Sequence, residues 1–193
     1  TPITRITALT IMHAVNSHGE VTLEGEATPE NASRFVQRAD ETTKITISTT
    51  AKGQPQILFC GIVQNAQVDK QESYARLKIT LRSTSYLLDT EKQNKSFQNT
   101  GSTHEEVIKK TYSGRADLKM EVSDKPIGSL IMQYNETPWE FTGRMAAVFE
   151  APVIAGLMTP KPEITVGVPK SVMTYTVKAV EYDSAANSGG CTK

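Results

Sequence analysis

The three histidines, His13, His18 and His104, are the residues in this sequence best suited to metal binding or proton transfer. A zinc site needs His and Cys ligands at short, dense spacings. No two of these histidines are four residues apart, and none lies beside a pair of cysteines. His18 falls in a Ser-His-Gly turn and His104 in the first turn of a predicted helix. We therefore expect His18 and His104 to be solvated surface residues, and we expect neither a metal nor another cofactor.

Clustered carboxylates are the next candidates for chemistry. Glu20, Glu24 and Glu26 recur at even spacing in a predicted strand and therefore share one face, while Glu105 and Glu106 open a predicted helix. A glycosidase would place one carboxyl group of a pair in an apolar cleft, and the sequence gives no sign of such a cleft. It also contains neither a G-x-S-x-G nucleophile motif nor a glycine motif for nucleotides. We expect solvated carboxylates and no enzymatic activity.

A basic stretch is the best case for nucleic-acid contact. Its cations lie near the aromatic residues Phe97 and Tyr112, and they are Lys92, Lys95, Lys109, Lys110 and Arg115. Small barrels bind single strands by combining a positive groove with aromatic stacking platforms. However, acidic residues are interspersed among these lysines and the formal net charge is zero. A solvated loop and helix face is the favoured interpretation, and an oligonucleotide-binding barrel stays open as an alternative.

Composition limits the class of protein. The chain has 193 residues, of which 38% are hydrophobic and 22% are charged, as in soluble globular proteins. No apolar run approaches the length of a membrane span and no secretory signal opens the sequence, so a protein made in the cytoplasm is expected. Of the two cysteines, Cys60 lies in an apolar strand and Cys191 in a Gly/Ser-rich tail, which predicts a buried free thiol at Cys60 and no disulfide.

Residues up to about 82 show short runs in which apolar and polar side chains alternate, most clearly at 44–48 and 74–81. Alternation of this kind predicts strands with one buried face, and several in succession favour a small antiparallel barrel. Pro29 after Thr28 predicts the start of one helix, whose Phe35 and Val36 we expect to face the sheet. Gly61, inside an apolar strand, predicts a bulge or bend.

The following residues have a mixed pattern. Thr103 and Glu106 predict a capping box before a helix that ends near Tyr112. Strands are predicted at 118–122 and 130–134, and a second helix is predicted to extend to about Phe149. This pattern indicates a mixed α/β module separate from the barrel.

The last part of the chain begins with a proline-rich segment, 151–169, which predicts an extended linker leading into a strand at 163–168. Residues 172–180 alternate again and predict the beginning of a second barrel. The predicted fold is therefore β-rich α+β: residues 1–88 form a small antiparallel tube-type β-barrel with one covering helix, residues 89–150 form the mixed α/β module, and residues 151–193 hold the linker and the start of a second barrel. Because the chain starts at Thr1 and stops inside that barrel, we expect it to be part of a longer protein.

The most distinctive run, residues 130–141, changes from an apolar strand to a capped helix. Thr137 suits the cap, Pro138 suits the first helical position, and Glu140 completes a capping box. Trp139, the only tryptophan, is expected to pack into the core as the first large residue of an amphipathic helix. These residue types position structure, and none is an obvious nucleophile, base or metal ligand.

Several motifs keep their order along the chain: SYLLD, then FQN, then QYNETPWEF followed by Arg144, then ITVGVP at 164–169. In this order they resemble the hub proteins of contractile injection machines, a family that includes phage late control protein D, the type VI secretion VgrG proteins and the central baseplate hub of contractile phage tails. The segments LFCGIV (58–63) and VQRADETT (36–43) resemble the clostridial and bacillar prophage branch most. We expect the structural motif of this resemblance to consist of Phe97, Gln98, Asn99, Gln133, Tyr134, Asn135, Glu136, Thr137, Trp139 and Phe141.

The resemblance implies a structural role without a reaction. Proteins of this kind assemble as homotrimers between the tail tube and the central spike, and two tube-like barrels in each subunit match the sixfold symmetry of the tube. It implies the spike, the tail tube and other baseplate proteins as partners, with no specific nucleic-acid sequence and no membrane segment. It also implies synthesis in the bacterial cytoplasm and assembly into a phage tail, tailocin or injection-system particle. Besides the oligonucleotide-binding barrel, a non-catalytic part of a cell-wall-degrading tail protein stays open as an alternative.

Overall fold

The computed structural model describes residues 3–40, 43–51 and 53–169 of the chain. The alternating run at 172–180, the second barrel predicted from it and Cys191 lie outside the described residues. The strands are β1 (Arg5–Met12), β2 (Glu20–Ala27), β3 (Lys44–Ala51), β4 (Gln54–Lys70), β5 (Ala75–Ser83), β6 (Gln93–Phe97), β7 (Asp117–Met120), β8 (Ile131–Glu136), β9 (Val153–Ala155) and β10 (Glu163–Val166). The helices are α1 (Pro29–Arg38), α2 (His104–Tyr112) and α3 (Pro138–Ala147), and a 3₁₀ turn covers Thr84–Leu88.

The first five strands form one antiparallel sheet in the order β1-β2-β5-β4-β3, curled into a half-barrel. Burial alternates along β2 and β5 as their sequences predict, because every second side chain points to the concave face. The centre of that face consists of Phe59, Leu77, Ile79 and Leu81, each at most 1% exposed. The predicted β-rich fold with an antiparallel tube-type sheet is confirmed. Among the described residues, β1 and β3 each pair on one side only.

Helix α1 begins where the sequence predicts. The side chain of Thr28 accepts a hydrogen bond from the Asn31 amide, and Pro29 occupies the first turn. Phe35 packs against the apolar face of the sheet as expected. The expectation for Val36 is wrong: its side chain is 40% exposed. Residues adjacent in sequence lie about 100° apart around a helix, so when Phe35 faces the sheet Val36 points away from it.

Gly61 is required by a close approach between strands. A Cβ atom at this position would lie 2.3 Å from the carbonyl oxygen of Arg82 and 2.4 Å from the ring of Phe59. Gly61 itself pairs regularly with Ile45 and Ser83. The register shift between β4 and β5 falls a few residues later, between Val63 and Asn65. The predicted bulge therefore lies slightly after Gly61 and not at it, and the glycine itself accommodates the carbonyl group of Arg82.

The mixed module holds a second core. A two-stranded sheet pairs β6 with β8, and a three-stranded sheet has the order β7-β10-β9 with β7 parallel to β10. Both predicted capping boxes are present, at Thr103 with Glu106 and at Thr137 with Glu140. The helices pack around Ile108, which is fully buried. Helix α3 ends at Ala147, slightly before the predicted end at Phe149.

The segment 151–169 is more than a linker. It leads into a strand as predicted, found as β10, and it also contains β9, which pairs antiparallel with β10 and was not predicted. The segment also contacts the half-barrel: the Cys60 amide donates to the Leu157 carbonyl over 2.6 Å, and Lys44 Nζ donates to the Pro160 carbonyl over 3.1 Å. The free thiol of Cys60 is buried, as predicted. Backbone pairing with two distant parts of the chain therefore gives this proline-rich segment a defined path.

The expectation that His18 and His104 are solvated is wrong. His104 is 3% exposed, its Nδ1 lies 2.8 Å from the Lys125 carbonyl oxygen, and its ring packs edge-on against Phe149. The side chain of His18 is 7% exposed. Turn and helix-start positions are usually solvated, but here segments distant in sequence fold over both rings.

Candidate functional site

The motif residues of β6 and β8 lie on neighbouring strands. Phe97 pairs with Ile131 across the two-stranded sheet, and its ring centroid lies 5.7 Å from that of Phe141 in α3. The structure therefore brings the FQN segment and the QYNETPWEF segment together around one small cluster of aromatic rings. The FQN segment also borders a shallow cavity of about 360 Å³ lined by Lys95, Ser96, Phe97, Gln98, Asn99, Ser102 and Lys110.

The motif residues divide by burial. Phe97, Gln133, Thr137 and Phe141 are buried, Glu136 and Trp139 are half-buried, and Gln98, Asn99, Tyr134 and Asn135 are exposed. Tyr134, at 74% exposure, is the most solvated large residue of the set. The buried members hold the hinge between β8 and α3 in place. Tyr134 lies at an alternate position from Leu130 and Met132, which are also exposed, so these three residues share the outer surface of the two-stranded sheet.

The hinge itself is fixed by backbone geometry and by hydrogen bonds. Asn135 adopts a left-handed conformation (φ 51°), and its amide donates to Asn94 Oδ1 over 2.8 Å. Asn tolerates this conformation better than most residues. Arg144 forms a two-pronged contact with Glu136, at 2.8 and 2.7 Å, and also donates to the Met132 carbonyl over 2.6 Å. The Arg144 guanidinium thus bridges the last turn of α3 and the end of β8.

Thr137 connects the hinge to the half-barrel. Its hydroxyl accepts a hydrogen bond from the Glu140 amide, which caps α3, and donates one to Asp89 Oδ1 over 2.5 Å. Asp89 directly follows the 3₁₀ turn that ends the half-barrel. The other carboxylate oxygen of Asp89 lies 3.2 Å from Nε2 of His18, in the loop between β1 and β2. Asp89 therefore joins three segments of the chain that are far apart in sequence.

His18 is enclosed at this junction. Its Nδ1 lies 2.9 Å from Ser85 Oγ, its ring stacks obliquely on Trp139 with centroids 4.1 Å apart, and Tyr86 meets it edge-on. Burial lowers the pKa of His18, an effect that Asp89 opposes and the positive charge of Arg82 reinforces. The neutral imidazole is therefore favoured. We call the residues Ser83, Ser85, His18, Asp89 and Thr137 the junction network.

When His18 is neutral, the donors from Ser83 through His18 point toward Asp89, and Thr137 donates to Asp89 from the other side. The Gly19 amide donates to Ser83 Oγ, which lies 2.7 Å from Ser85 Oγ, and Ser85 can then donate to Nδ1 of His18. Nε2–H donates to Asp89, which accepts from Thr137 on its other oxygen. A protonated ring would present an N–H to Ser85 and force both serine hydroxyls to reorient. Burial therefore disfavours protonation of His18, whereas its contact with Asp89 favours protonation and only partly offsets the effect of burial.

The contacts of Ser85, His18 and Asp89 are similar in type to those of a Ser-His-Asp triad. Such a triad works only if the serine oxygen can reach a substrate. Ser85 is 0% exposed, and its hydroxyl is already engaged by Ser83 and His18. Trp139 covers one face of the imidazole. This arrangement acts as a structural clasp between two parts of the chain.

The remaining candidates from the sequence have structural partners. Glu20 pairs with Arg82 and Glu24 with Lys78 on the outer face of the sheet, as their spacing predicts. Within residues 3–40, 43–51 and 53–169, no cluster of His, Cys, Asp and Glu is arranged to hold a metal ion. No helix in this part of the chain is long and apolar enough to cross a membrane.

The aromatic residues near the basic stretch are buried in the folded chain. Phe97 is 9% exposed and Tyr112 is 1% exposed, so neither offers a stacking platform for bases. Lys109 pairs with Glu105 along α2. Lys95 Nζ donates to the Lys110 carbonyl over 3.1 Å and also approaches the Thr111 carbonyl. The amine of Lys95 therefore caps the carbonyl end of α2. Burial and the charge of Arg115 lower the pKa of Lys95. These contacts weaken the oligonucleotide-binding alternative.

Reasoning from the sequence missed the junction network. Ser85, His18 and Asp89 belong to segments that show no common local pattern, and their meeting depends on how the β1–β2 loop folds over the 3₁₀ turn. The only local signal of a buried polar network was a pair of serines at the end of β5. Ser83 and Ser85 continue the series of alternate positions that holds apolar residues earlier in the strand.

Comparison with solved structures shows the fold. The chain is similar to the 43 kDa tail protein of prophage MuSo2 from Shewanella oneidensis (TM-score 0.58, 15% identity), covering 81% of this chain and 49% of that one. It is similar to the E. coli c3393 protein, a component of the type VI secretion system (TM-score 0.56, 14% identity). This match covers 83% of this chain and 48% of that one. It is also similar to a tail protein from Neisseria meningitidis MC58 (TM-score 0.51, 18% identity, 78% and 42% covered).

The chain spans about half the length of these solved relatives, or slightly less. A search of curated proteins finds no match. Residues 20–148, which include most of the half-barrel, all of the junction network except His18, and the whole motif from Phe97 to Phe141, match the family described as phage tail baseplate hub (GPD). The chain therefore belongs to the phage tail baseplate hub family.

Proposed function

We propose that this chain is a structural hub of a contractile tail or injection apparatus, where it joins the tail tube to the central spike as a homotrimer. In this proposal the spike, tube and baseplate proteins are its partners, and it is made in the bacterial cytoplasm and assembled into the particle. The chain performs no reaction. Residues 1–88 act as the first tube-like domain, residues 89–150 as the connecting module, and residues 151–193 lead into a second barrel.

The observation that carries this proposal is the edge strand β1 of the half-barrel, which pairs only with β2 among the residues that the structure describes. All eight residues of β1 are exposed. Leu9 and Ile11 pair with the buried Leu23 and Val21, so their side chains lie on the apolar concave side of the sheet, yet each is 37% exposed. Ile6, on the same side, is 56% exposed.

An apolar edge strand of this kind is a liability for a monomer, because it offers both a hydrophobic surface and unpaired backbone groups. Pairing of edge strands between copies around a closed ring would remove both. The motif residues fit this role as internal supports. In the proposal, Phe97, Gln133, Thr137 and Phe141 hold the hinge, while Gln98, Asn99, Tyr134, Asn135, Glu136 and Trp139 complete its surface and its contact with the half-barrel.

Sedimentation of the chain and of one edge variant tests this proposal. Leu9→Lys places a charge on the concave side of β1 and is expected to reduce self-association strongly at a given concentration. Met158→Lys is the matched control, because Met158 is 56% exposed and lies in the segment between β9 and β10. Equal association of both variants and of the unmodified chain would count against β1 as the contact between copies.

A further inference from the structure

A groove at the rim of the half-barrel collects positive charge from three separate parts of the chain. It has a volume of about 580 Å³, and the residues that matter here are Lys44, Leu87, Arg115, Pro160, Lys161 and Pro162. Lys44 begins the edge strand β3, Leu87 belongs to the 3₁₀ turn, and Arg115 follows α2. We call this surface the cationic groove.

The charges of the cationic groove are only partly neutralised. Lys161 pairs with Asp117. Lys44 donates to the Pro160 carbonyl over 3.1 Å, and Arg115 Nε donates to the Tyr112 carbonyl over 3.3 Å. Neither Lys44 nor Arg115 forms an ion pair with any other residue that the structure describes. Two cations therefore face the groove without a carboxylate partner in the described part of the chain, although the chain as a whole has zero net charge.

The positive potential extends beyond the groove itself. Arg115 is close enough to Lys95 to contribute to the lowered pKa of that amine. Lys95 is bound to backbone carbonyl groups at the end of α2 and also has no ion pair among the described residues. Uncompensated cations grouped in this way attract anions, because a cleft with low-dielectric walls focuses their field.

The walls of the groove indicate which anion fits. Leu87, Pro160 and Pro162 are aliphatic and rigid, and the described lining holds no aromatic ring on which a base could stack. The guanidinium fork of Arg115 matches a carboxylate, and the aliphatic stem of a glutamate side chain can pack on prolines. We propose that the cationic groove binds the carboxylate side chains of an extended acidic segment of a partner protein. This inference goes beyond the hub role and does not depend on trimer formation.

Fluorescence anisotropy with three labelled probes tests the proposal on the 193-residue chain. The probes are hexaglutamate, hexaglutamine and a single-stranded DNA oligonucleotide of the same length. Hexaglutamate is expected to bind, more weakly as salt concentration rises, and hexaglutamine is not. Combining Lys44→Gln with Arg115→Gln is expected to lower the hexaglutamate affinity about tenfold or more, which corresponds to about 1.4 kcal/mol.

Lys109→Gln is the matched control for this experiment. It removes the same charge from a residue of α2 that is outside the groove and paired with Glu105, so it should leave the affinity unchanged. Circular dichroism establishes that each variant is folded. If Arg115→Gln does not fold, Lys44→Glu, which reverses an exposed charge, must lower the affinity by itself. Absence of hexaglutamate binding, an equal loss in Lys109→Gln, or equally tight oligonucleotide binding with the same losses would overturn the proposal.

Discussion

Thr137 Oγ1 donates a hydrogen bond to Asp89 Oδ1 over 2.5 Å while it caps helix α3. One hydroxyl therefore performs two tasks: it starts the helix of the mixed module, and it joins that helix to the polypeptide leaving the half-barrel. The same carboxylate also contacts His18. These polar contacts and the packing of Trp139 on His18 help to fix the relative position of the half-barrel and the module, together with the contacts of the segment 151–169.

Thr137→Ala is expected to lower the free energy of unfolding by about 2 kcal/mol. It removes the helix cap and leaves a part-buried carboxylate oxygen without its donor. Thr137→Ser keeps the hydroxyl and is the matched control, with an expected loss below about 1 kcal/mol. Urea denaturation measures both. Equal losses in the two variants would show that the hydroxyl is not what stabilises this position.

The junction network predicts a dependence of stability on pH. Burial lowers the pKa of His18 in the folded chain below its ordinary value of about 6.5. Below that value the unfolded chain binds a proton that the folded chain does not, so the free energy of unfolding should fall as the pH drops from about 6.5 toward the folded pKa. Above about pH 6.5 this contribution is fully present.

Denaturation of His18→Gln across the same pH range isolates this effect. The variant should lose the part of the pH dependence that belongs to the imidazole, whereas His13→Gln, at an exposed position, should keep it. A His18→Gln variant whose stability depends on pH as that of the unmodified chain does would contradict the assignment of this pH dependence to His18.

Gly61→Ala is expected to destabilise the half-barrel by about 1–3 kcal/mol, because the added methyl group meets the Arg82 carbonyl and the Phe59 ring. Gly143→Ala is the control: a Cβ atom there meets nothing within 4 Å, and the residue lies in α3. Alanine favours a helix over glycine by up to about 1 kcal/mol, so this variant should be more stable. Thermal denaturation of both distinguishes steric crowding from a general cost of replacing glycine. A Gly61→Ala variant as stable as the unmodified chain would refute the close approach.

The sequence predicted what local patterns control. Alternation along β2 and β5 predicted which face is buried, and the Thr-x-x-Glu spacing predicted the starts of α2 and α3 to the residue. The ordered motifs predicted the family. These signals work because helix caps and strand faces depend on residues only a few positions apart.

Long-range contacts account for what the sequence did not predict. His18 looks solvated in its turn, but Ser85, Asp89 and Trp139 enclose it only after the chain has folded. Strand β9 was missed in a proline-rich segment because the hydrogen bonds between Asn16 and Val153, and the pairing of its partner β10 with β7, come from distant segments. The cationic groove was missed for the same reason, since Lys44 and Arg115 are neighbours only in the folded chain.

The central claim, that this hub-family chain assembles as a trimer between tube and spike, is tested most directly by native mass spectrometry of the chain alone and mixed with the spike protein of its own particle. We predict a species of three times the 21.1 kDa mass of one chain, or its appearance on adding the spike. A chain that stays monomeric at high concentration, with and without the spike, would contradict the claim.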